Sequence, residues 1–338
     1  MKERNKMSVR TIKLPADLHA MGELLLEAFH YPENETWSVQ ADEQESLTDM
    51  LRSLRRLWPL IRLIQLVSPS LRDVLLGYIW EEDERMVGMV SYQRLGATDT
   101  WYITNVAVLP DYRRRGMARK MVQNALDAIR ARGGKVALLD VIAGNVPAYS
   151  LYEQVGFEHF TGRSVFDYKQ EQPPPERDLP QGYVVSPFDA FEWRTRYELA
   201  RRIIPANIKK YEPIEQARYR RPRAMRLLLP IVRRASGMRE KEIVLRAAED
   251  GQVVALAEYT TRTRSGGVNR IGMRLDPAHA ELAPYLVHHL IRTAQQISPG
   301  RRIEFNVSQW QDEVIQVASA AGCVKRLEYH RMGLNLSL

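Results

Sequence analysis

Apolar and polar residues alternate from Tyr102 to Val108, with Tyr102, Val106 and Val108 on one side of the pattern, which predicts a strand. Pro110 and Asp111 end it. From Arg115 or Gly116 the apolar spacing becomes helical, through Ala118, Met121, Val122, Ala125, Leu126 and Ile129. The same patterns assign the preceding segments. Val9 to Leu14 reads as a strand, and Pro15-Ala16-Asp17 opens a helix with the stripe Leu18, Met21, Leu24, Leu25 and Ala28. Tyr31 to Glu35 is a loop, and Glu43 to Val67 is a helix broken near Pro59. Strands Leu75 to Glu81 and Met86 to Arg94 surround a turn. Beyond the central helix, closed by Gly133-Gly134, come a strand from Lys135, a short helix Pro147 to Gln154 and a strand Glu158 to Tyr168.

Gln170 to Pro180 is proline-rich and reads as a linker, and beyond it the plan recurs. Met86-V-G-M-V corresponds to Gln252-V-V-A-L, Leu109-Pro110 to Asp276-Pro277, and Val155-Gly156-Phe157 to Ala321-Gly322-Cys323, all at an offset of about 166 residues. L-W-P-L-I-R likewise resembles L-L-P-I-V-R around Pro230. The expectation is a duplicated chain: a first domain at 1–170, a linker at 171–180 and a second domain at 181–338.

Composition narrows the function classes. Hydrophobic content of 45% with 27% charged residues describes a globular protein, and every long apolar run is interrupted by charge or proline. No membrane span is expected. The N-terminus lacks the apolar stretch of a secretory signal, and Cys323 alone permits no intrachain disulfide, which suits a cytoplasmic setting. Cys323 itself reads as a small buried residue. The net charge of +8 is concentrated between Arg194 and Arg246. Without interleaved aromatics or a nucleic-acid-binding motif, this reads as solvated helix faces, and no nucleic-acid partner is predicted. His288 and His289 are adjacent and lack metal-ligand spacing, so no metal site is predicted.

Arg113, Arg114 and Arg115 crowd the predicted N-terminus of the central helix, where the exposed amides already carry partial positive charge. An anion docking on those amides resolves the conflict, and a pyrophosphate is the natural guest. Gly116 would permit close approach and Ala118 adds little bulk. The sequence has neither G-x-x-x-x-G-K-[ST] nor G-x-G-x-x-G.

The run V-x-x-x-x-R-R-R-G-M-A resembles the acyl-CoA signature [RQ]-x-x-G-x-[GA] of the GCN5-related N-acetyltransferase (GNAT) family, with Arg113, Gly116 and Ala118 at its defined positions. Asn145-V-P-Ala148-Y-S-L-Tyr152-E-Q-V-Gly156-Phe157 resembles a second family element, and the likeness spans roughly residues 8–170. It implies an α/β (α+β) fold: two GNAT-like acyl-CoA N-acyltransferase domains, each a mixed, mostly antiparallel sheet flanked by helices.

The resemblance further implies acetyl-CoA as cofactor, its pantetheine arm along Val106, Ala107 and Val108, with the Val108 amide donating to the thioester oxygen. Its diphosphate would lie on Arg113, Arg114, Arg115, Gly116, Met117, Ala118 and Arg119. Asn145 and Tyr152, seven apart, can share one helix face, with Tyr152 as the acid that protonates the thiolate. The general base stays open. Where many relatives carry a Glu on the central strand, this chain has Thr104, followed by Asn105. Glu81 is a candidate, and Glu33 and Glu35 border the acceptor side. In the second copy A-H-A-E-L-A-P-Y replaces D-Y-R-R-R-G-M-A, which reads as a degenerate domain. The expected activity is transfer of an acetyl group to a primary amine of a small molecule or peptide, with a homo-oligomer left open. The alternative is a non-catalytic acyl-CoA-binding module.

Overall fold

The structure is a computed structural model that describes residues 7–67, 72–73, 75–186, 188, 192–220, 230–231, 237–262 and 267–337. The chain divides into two units, residues 1–160 with 331–338, and residues 161–330. The proline-rich stretch 171–180 lies within the second of these units. Strand pairing explains this division. Residues 163–168 of β6 (Glu158–Tyr168) pair with β11 (Ile303–Ser308) of the second unit. The C-terminal residues of β12 (Val324–Asn335) return beside β5 (Val136–Ile142) of the first, where Leu336 N–H donates to Lys135 O at 2.8 Å.

The first unit carries β1 (Met7–Thr11), β2 (Leu76–Glu82), β3 (Arg85–Arg94), β4 (Thr100–Val108) and β5 in that order across its sheet. The first three pairings are antiparallel. Helix α1 (Leu18–Ala28) buries Met21, Leu24, Leu25 and Ala28 on one face against Ile79, Met89 and Ala107. On the other face, α3 (Met117–Arg130) buries Met121, Val122, Ala125, Leu126 and Ile129, packed with Trp101 and Tyr152 of α4 (Val146–Val155). Helix α2 (Ala41–Val67) continues through Pro59 rather than breaking there. One proline costs about 3 kcal/mol in a helix interior, and the hydrogen bonds of a 27-residue helix outweigh it.

The second unit repeats this plan. The hairpin β8 (Met238–Ala247) and β9 (Val253–Arg262) precedes β10 (Asn269–Leu275), which pairs in parallel with β11. Helix α8 (Ala283–Ile297) and helix α9 (Asp312–Ala320) take the places of α3 and α4, and α5 (Trp193–Ile203), α6 (Ala206–Tyr211) and α7 (Gln216–Tyr219) precede the hairpin after the short strand β7 (Tyr183–Ser186). The mixed, mostly antiparallel sheets flanked by helices are two GNAT-like domains. The proline match around Pro230 falls largely outside the described residues. Among the described residues, no helix is long and apolar enough to cross a membrane.

Candidate active site

The site begins where two strands part. Strand β4 pairs in parallel with β5 at Thr100, Trp101 and Tyr102, and among the described residues the rest of β4 has no strand partner on that side. On its other side, Leu109 N–H donates to Val87 O at 3.0 Å. Successive amides of a strand point to opposite sides, so Val108 N–H faces the unpaired edge. An extended ligand arm can hydrogen-bond there as an added strand would. A register shift between Met89 and Ser91, with Asn105 in the left-handed region at φ 47°, bends β4 just before Val106.

The loop after β4 makes a short turn at Pro110–Tyr112, then passes through left-handed Arg114 (φ 61°) and Gly116 (φ 75°) into α3. A Cβ on Gly116 would meet no protein atom within 4 Å, so the backbone angle, not crowding, calls for glycine. No side chain caps α3, whose first intrahelical bond runs from Lys120 N–H to Gly116 O at 3.1 Å. The amides of Met117, Ala118 and Arg119 thus point out of the helix end as donors for an anion.

The arginines divide their roles. Arg113 donates to Ala28 O at 2.8 Å and Val108 O at 3.3 Å, with its guanidinium over the Tyr31 ring. It braces the strand end against α1. Arg115 turns back to Asp111 O at 2.7 Å and lies over Tyr112, outside the cavity lining. Arg119 donates to Gln154 Oε1, and Arg114 lines the cavity. None of these contacts is with a carboxylate, so among the described residues no ion pair compensates the cluster.

A cavity of about 640 Å³ joins these parts, lined by Val106, Ala107, Val108, Arg113, Arg114, Gly116, Met117, Ala118, Arg119, Asn145 and Tyr152. Asn145 is not within α4 as the seven-residue spacing predicts. It is the helix N-cap, its side chain accepting from Ala148 N–H at 3.2 Å, so the asparagine fixes where α4 begins and Tyr152 lies two turns on. Tyr152 is 7% exposed and its ring meets Phe157 edge-on. Its hydroxyl bonds to no protein group among the described residues. Burial, with Tyr31 adding to it, raises that hydroxyl well above the usual phenol range. At neutral pH it is a proton donor.

The candidate bases separate. Glu81 does not line the cavity: Arg10 holds its carboxylate at 2.6 Å and also binds Asp17 at 2.7 Å. Its register on an outer strand, opposite Met86, sets it apart from the cofactor edge. Thr104 bonds Ser91 Oγ at 2.6 Å and Asn105 Nδ2 donates to the same oxygen at 3.1 Å, so both side chains are committed to the bend. Glu33 lines the cavity and Glu35 does not.

Tyr31, Trp37 and Tyr112 also line the cavity and were not singled out by sequence pattern. Tyr31 and Trp37 meet edge-on at 5.7 Å, forming an aromatic wall beside Glu33. The run Y-P-E-N-E-T-W carried the signal, as two aromatics in an otherwise polar loop. Cys323 is 5% exposed, and burial with nearby Asp167 pushes its thiol up to about 12.

Residues 20–157 match the Acetyltransferase (GNAT) family. They form a domain with the GNAT fold. This GNAT domain is 36% identical over 81 residues to the [ribosomal protein bS18]-alanine N-acetyltransferase of Salmonella typhimurium, covering 24% of this chain and 53% of that protein. It is 33% identical over 84 residues to N-alpha-acetyltransferase 30 of Schizosaccharomyces pombe, covering 24% and 56%. The chain thus spans about half the length of these curated relatives. In three dimensions, a tandem GNAT protein from the clavulanic acid biosynthesis pathway shares the fold over 98% of this chain and 99% of its own, with TM-score 0.65 and 13% identity. A GCN5-related N-acetyltransferase from Sphaerobacter thermophilus gives TM-score 0.65 at 16% identity, over 98% and 96%.

The GNAT fold implies an acyl-CoA-type cofactor. The residues present fit one: uncapped amides at the α3 terminus suit a diphosphate, and the unpaired β4 edge suits an amide-bearing arm.

Proposed function

We propose that the first unit is an acetyl-CoA-dependent N-acetyltransferase acting on a primary amine by direct attack on the thioester. One observation carries the reading. The residues of the uncapped α3 terminus, Val108 with its outward N–H, and Tyr152 line a single cavity. Acetyl-CoA supplies the activated acyl group and a thiolate leaving group.

The chain's own groups provide the rest. Amides from Arg114 to Arg119 bind the diphosphate, and Val108 N–H polarises the acyl oxygen. Tyr152 holds its proton until charge develops on sulfur, then donates it there. Glu33, directly or through water, takes the proton lost by the attacking amine; Glu81, engaged by Arg10, is set aside for this role. The aromatic wall of Tyr31 and Trp37 bounds the acceptor side. Peptide amino termini are the first acceptors to try, since the named relatives are an N-alpha-acetyltransferase and a ribosomal protein alanine acetyltransferase. Small-molecule amines form the second arm.

A thiol-release panel of peptides, polyamines, aminoglycosides and amino acids tests the reading. Tyr152→Phe should lower kcat by about 10²-fold or more while leaving cofactor affinity unchanged. Equal rates for the two proteins would remove Tyr152 from its role. A second reading, a non-catalytic acyl-CoA-binding module, draws on Thr104, Asn105 and Glu81 all being engaged elsewhere. Tight acetyl-CoA binding with silence across every acceptor would favour it.

A further inference from the structure

The second unit has a cavity of its own, about 540 Å³, whose floor is one face of its sheet and whose walls include Arg196 of α5 with Arg218 and Tyr219 of α7. A sheet face under helices is normally apolar. This one is charged. In register across the strands stand Glu242, Glu258, Gly272 and Asn306, with Thr260 opposite Arg270 and Leu256 opposite Arg274 in the flanking rows.

Two features of that face work against stability. Glu242 lies directly opposite Glu258, and carboxylate oxygens of Glu240, Glu242 and Glu258 all lie within 4.8 Å of one another. Like charges opposed on a sheet are destabilising. Burial raises the Glu242 carboxyl above its ordinary value although Arg196 pairs with it, and the charges of Glu258 and Glu240 add to the rise. Several charges around the cavity are matched: Arg196 with Glu242, Arg218 with Glu212 at 2.7 Å, Arg270 with Glu304 at 3.2 Å. Glu258 and Arg274 have no ion-pair partner among the described residues, and they do not pair with each other. They occupy diagonal positions on adjacent strands, roughly 7–8 Å apart, and the Glu258 side chain lies over Gly272, where a Cβ would sit 3.6 Å from its Oε1.

We propose that this cavity binds a small zwitterion, its ammonium group held by Glu258 beside Glu242 and its carboxylate held by Arg274. Both signs are needed. A metal ion would find three carboxylates but also the Arg196 guanidinium already on Glu242, and hard cations seek six or more oxygens. A lone anion would face the crowded glutamates. The volume suits an amino acid or short peptide. Across the diagonal, a molecule whose charges are separated by several bonds fits better than one with adjacent charges.

Calorimetry on the full chain without acyl-CoA tests this, using glycylglycine, 5-aminovalerate and L-lysine as probes. Cadaverine and glutarate serve as controls with charge of one sign only, and calcium chloride as the metal control. At least one zwitterion should bind at least tenfold more tightly than cadaverine or glutarate. Glu258→Gln and Arg274→Gln should each weaken that binding tenfold or more. Gly272→Leu, which fills the floor and keeps both charges, should abolish it. Unchanged unfolding transitions and unchanged acetyl-CoA binding establish that these variants remain folded. Absence of binding by all three zwitterions, equal binding of cadaverine, binding of calcium alone, or insensitivity to both charge substitutions would overturn the proposal.

Discussion

Tyr152, the proposed acid, is also a packing residue. Its ring belongs to the core beneath α3, the residue also lines the cavity, and its hydroxyl has no protein partner among the described residues. Burial raises its pKa, which has a consequence for stability. Between about pH 10, the ordinary phenol value, and the higher native value, the folded chain keeps a proton that the unfolded chain has lost. Stability therefore falls as pH rises through that window. Urea unfolding at pH 9 and pH 11 should show a smaller loss for Tyr152→Phe than for the wild type, and an equal loss would deny the raised value. The sequence identified this tyrosine through its neighbours Asn145, Gly156 and Phe157, but misread Asn145, because seven-residue spacing does not distinguish a helix face from a cap. Glu81 was legible as a strand carboxylate. Its engagement by Arg10, 71 positions away, was not.

Among the elements, the central strand, loop and helix were readable because three local signals agree: alternation, a proline stop and a 3.6-residue period. The parting of β4 from β5 was not, since it depends on where pairing ceases. That parting is set partly by packing at the paired end, where Trp101 is wholly buried. A Cβ placed on Gly134 would lie 2.4 Å from Ile129 Cγ2 and 2.7 Å from Trp101 Cδ1. Gly134→Ala should therefore destabilise the first unit by about 1–3 kcal/mol, read as a lowered Tm, with little change at Gly133→Ala beyond its backbone strain. Pro59 gave a misleading local signal, because a helix break also depends on how much helix stands on either side.

For the whole molecule, the duplication was visible as a repeated offset, and the structure bears out two GNAT-like units. Strand placement was hidden, because no local pattern tells a strand which edge it will join. Met332, fully buried, and Leu336 belong to the core of the first unit although 176 residues separate the end of the Tyr152 helix from Met332. Arg331 fixes that segment by two bonds to Asp140, at 2.7 and 3.1 Å. Met332→Ala should cost about 2–5 kcal/mol, and thermal unfolding followed with and without acetyl-CoA would show whether the cofactor-binding unit is the one weakened.

In the proposed complex the diphosphate of the acyl-CoA rests on the amides after Asp111. Titration calorimetry of acetyl-CoA against the wild type and Gly116→Val measures this most directly, because valine is strained at the left-handed φ of 75° on which the turn depends. Binding should be present in the wild type and weakened at least tenfold by the substitution, with Tyr152→Phe unaffected. Wild-type affinity in a folded Gly116→Val chain, or no binding by the wild type, would show that the diphosphate does not rest there.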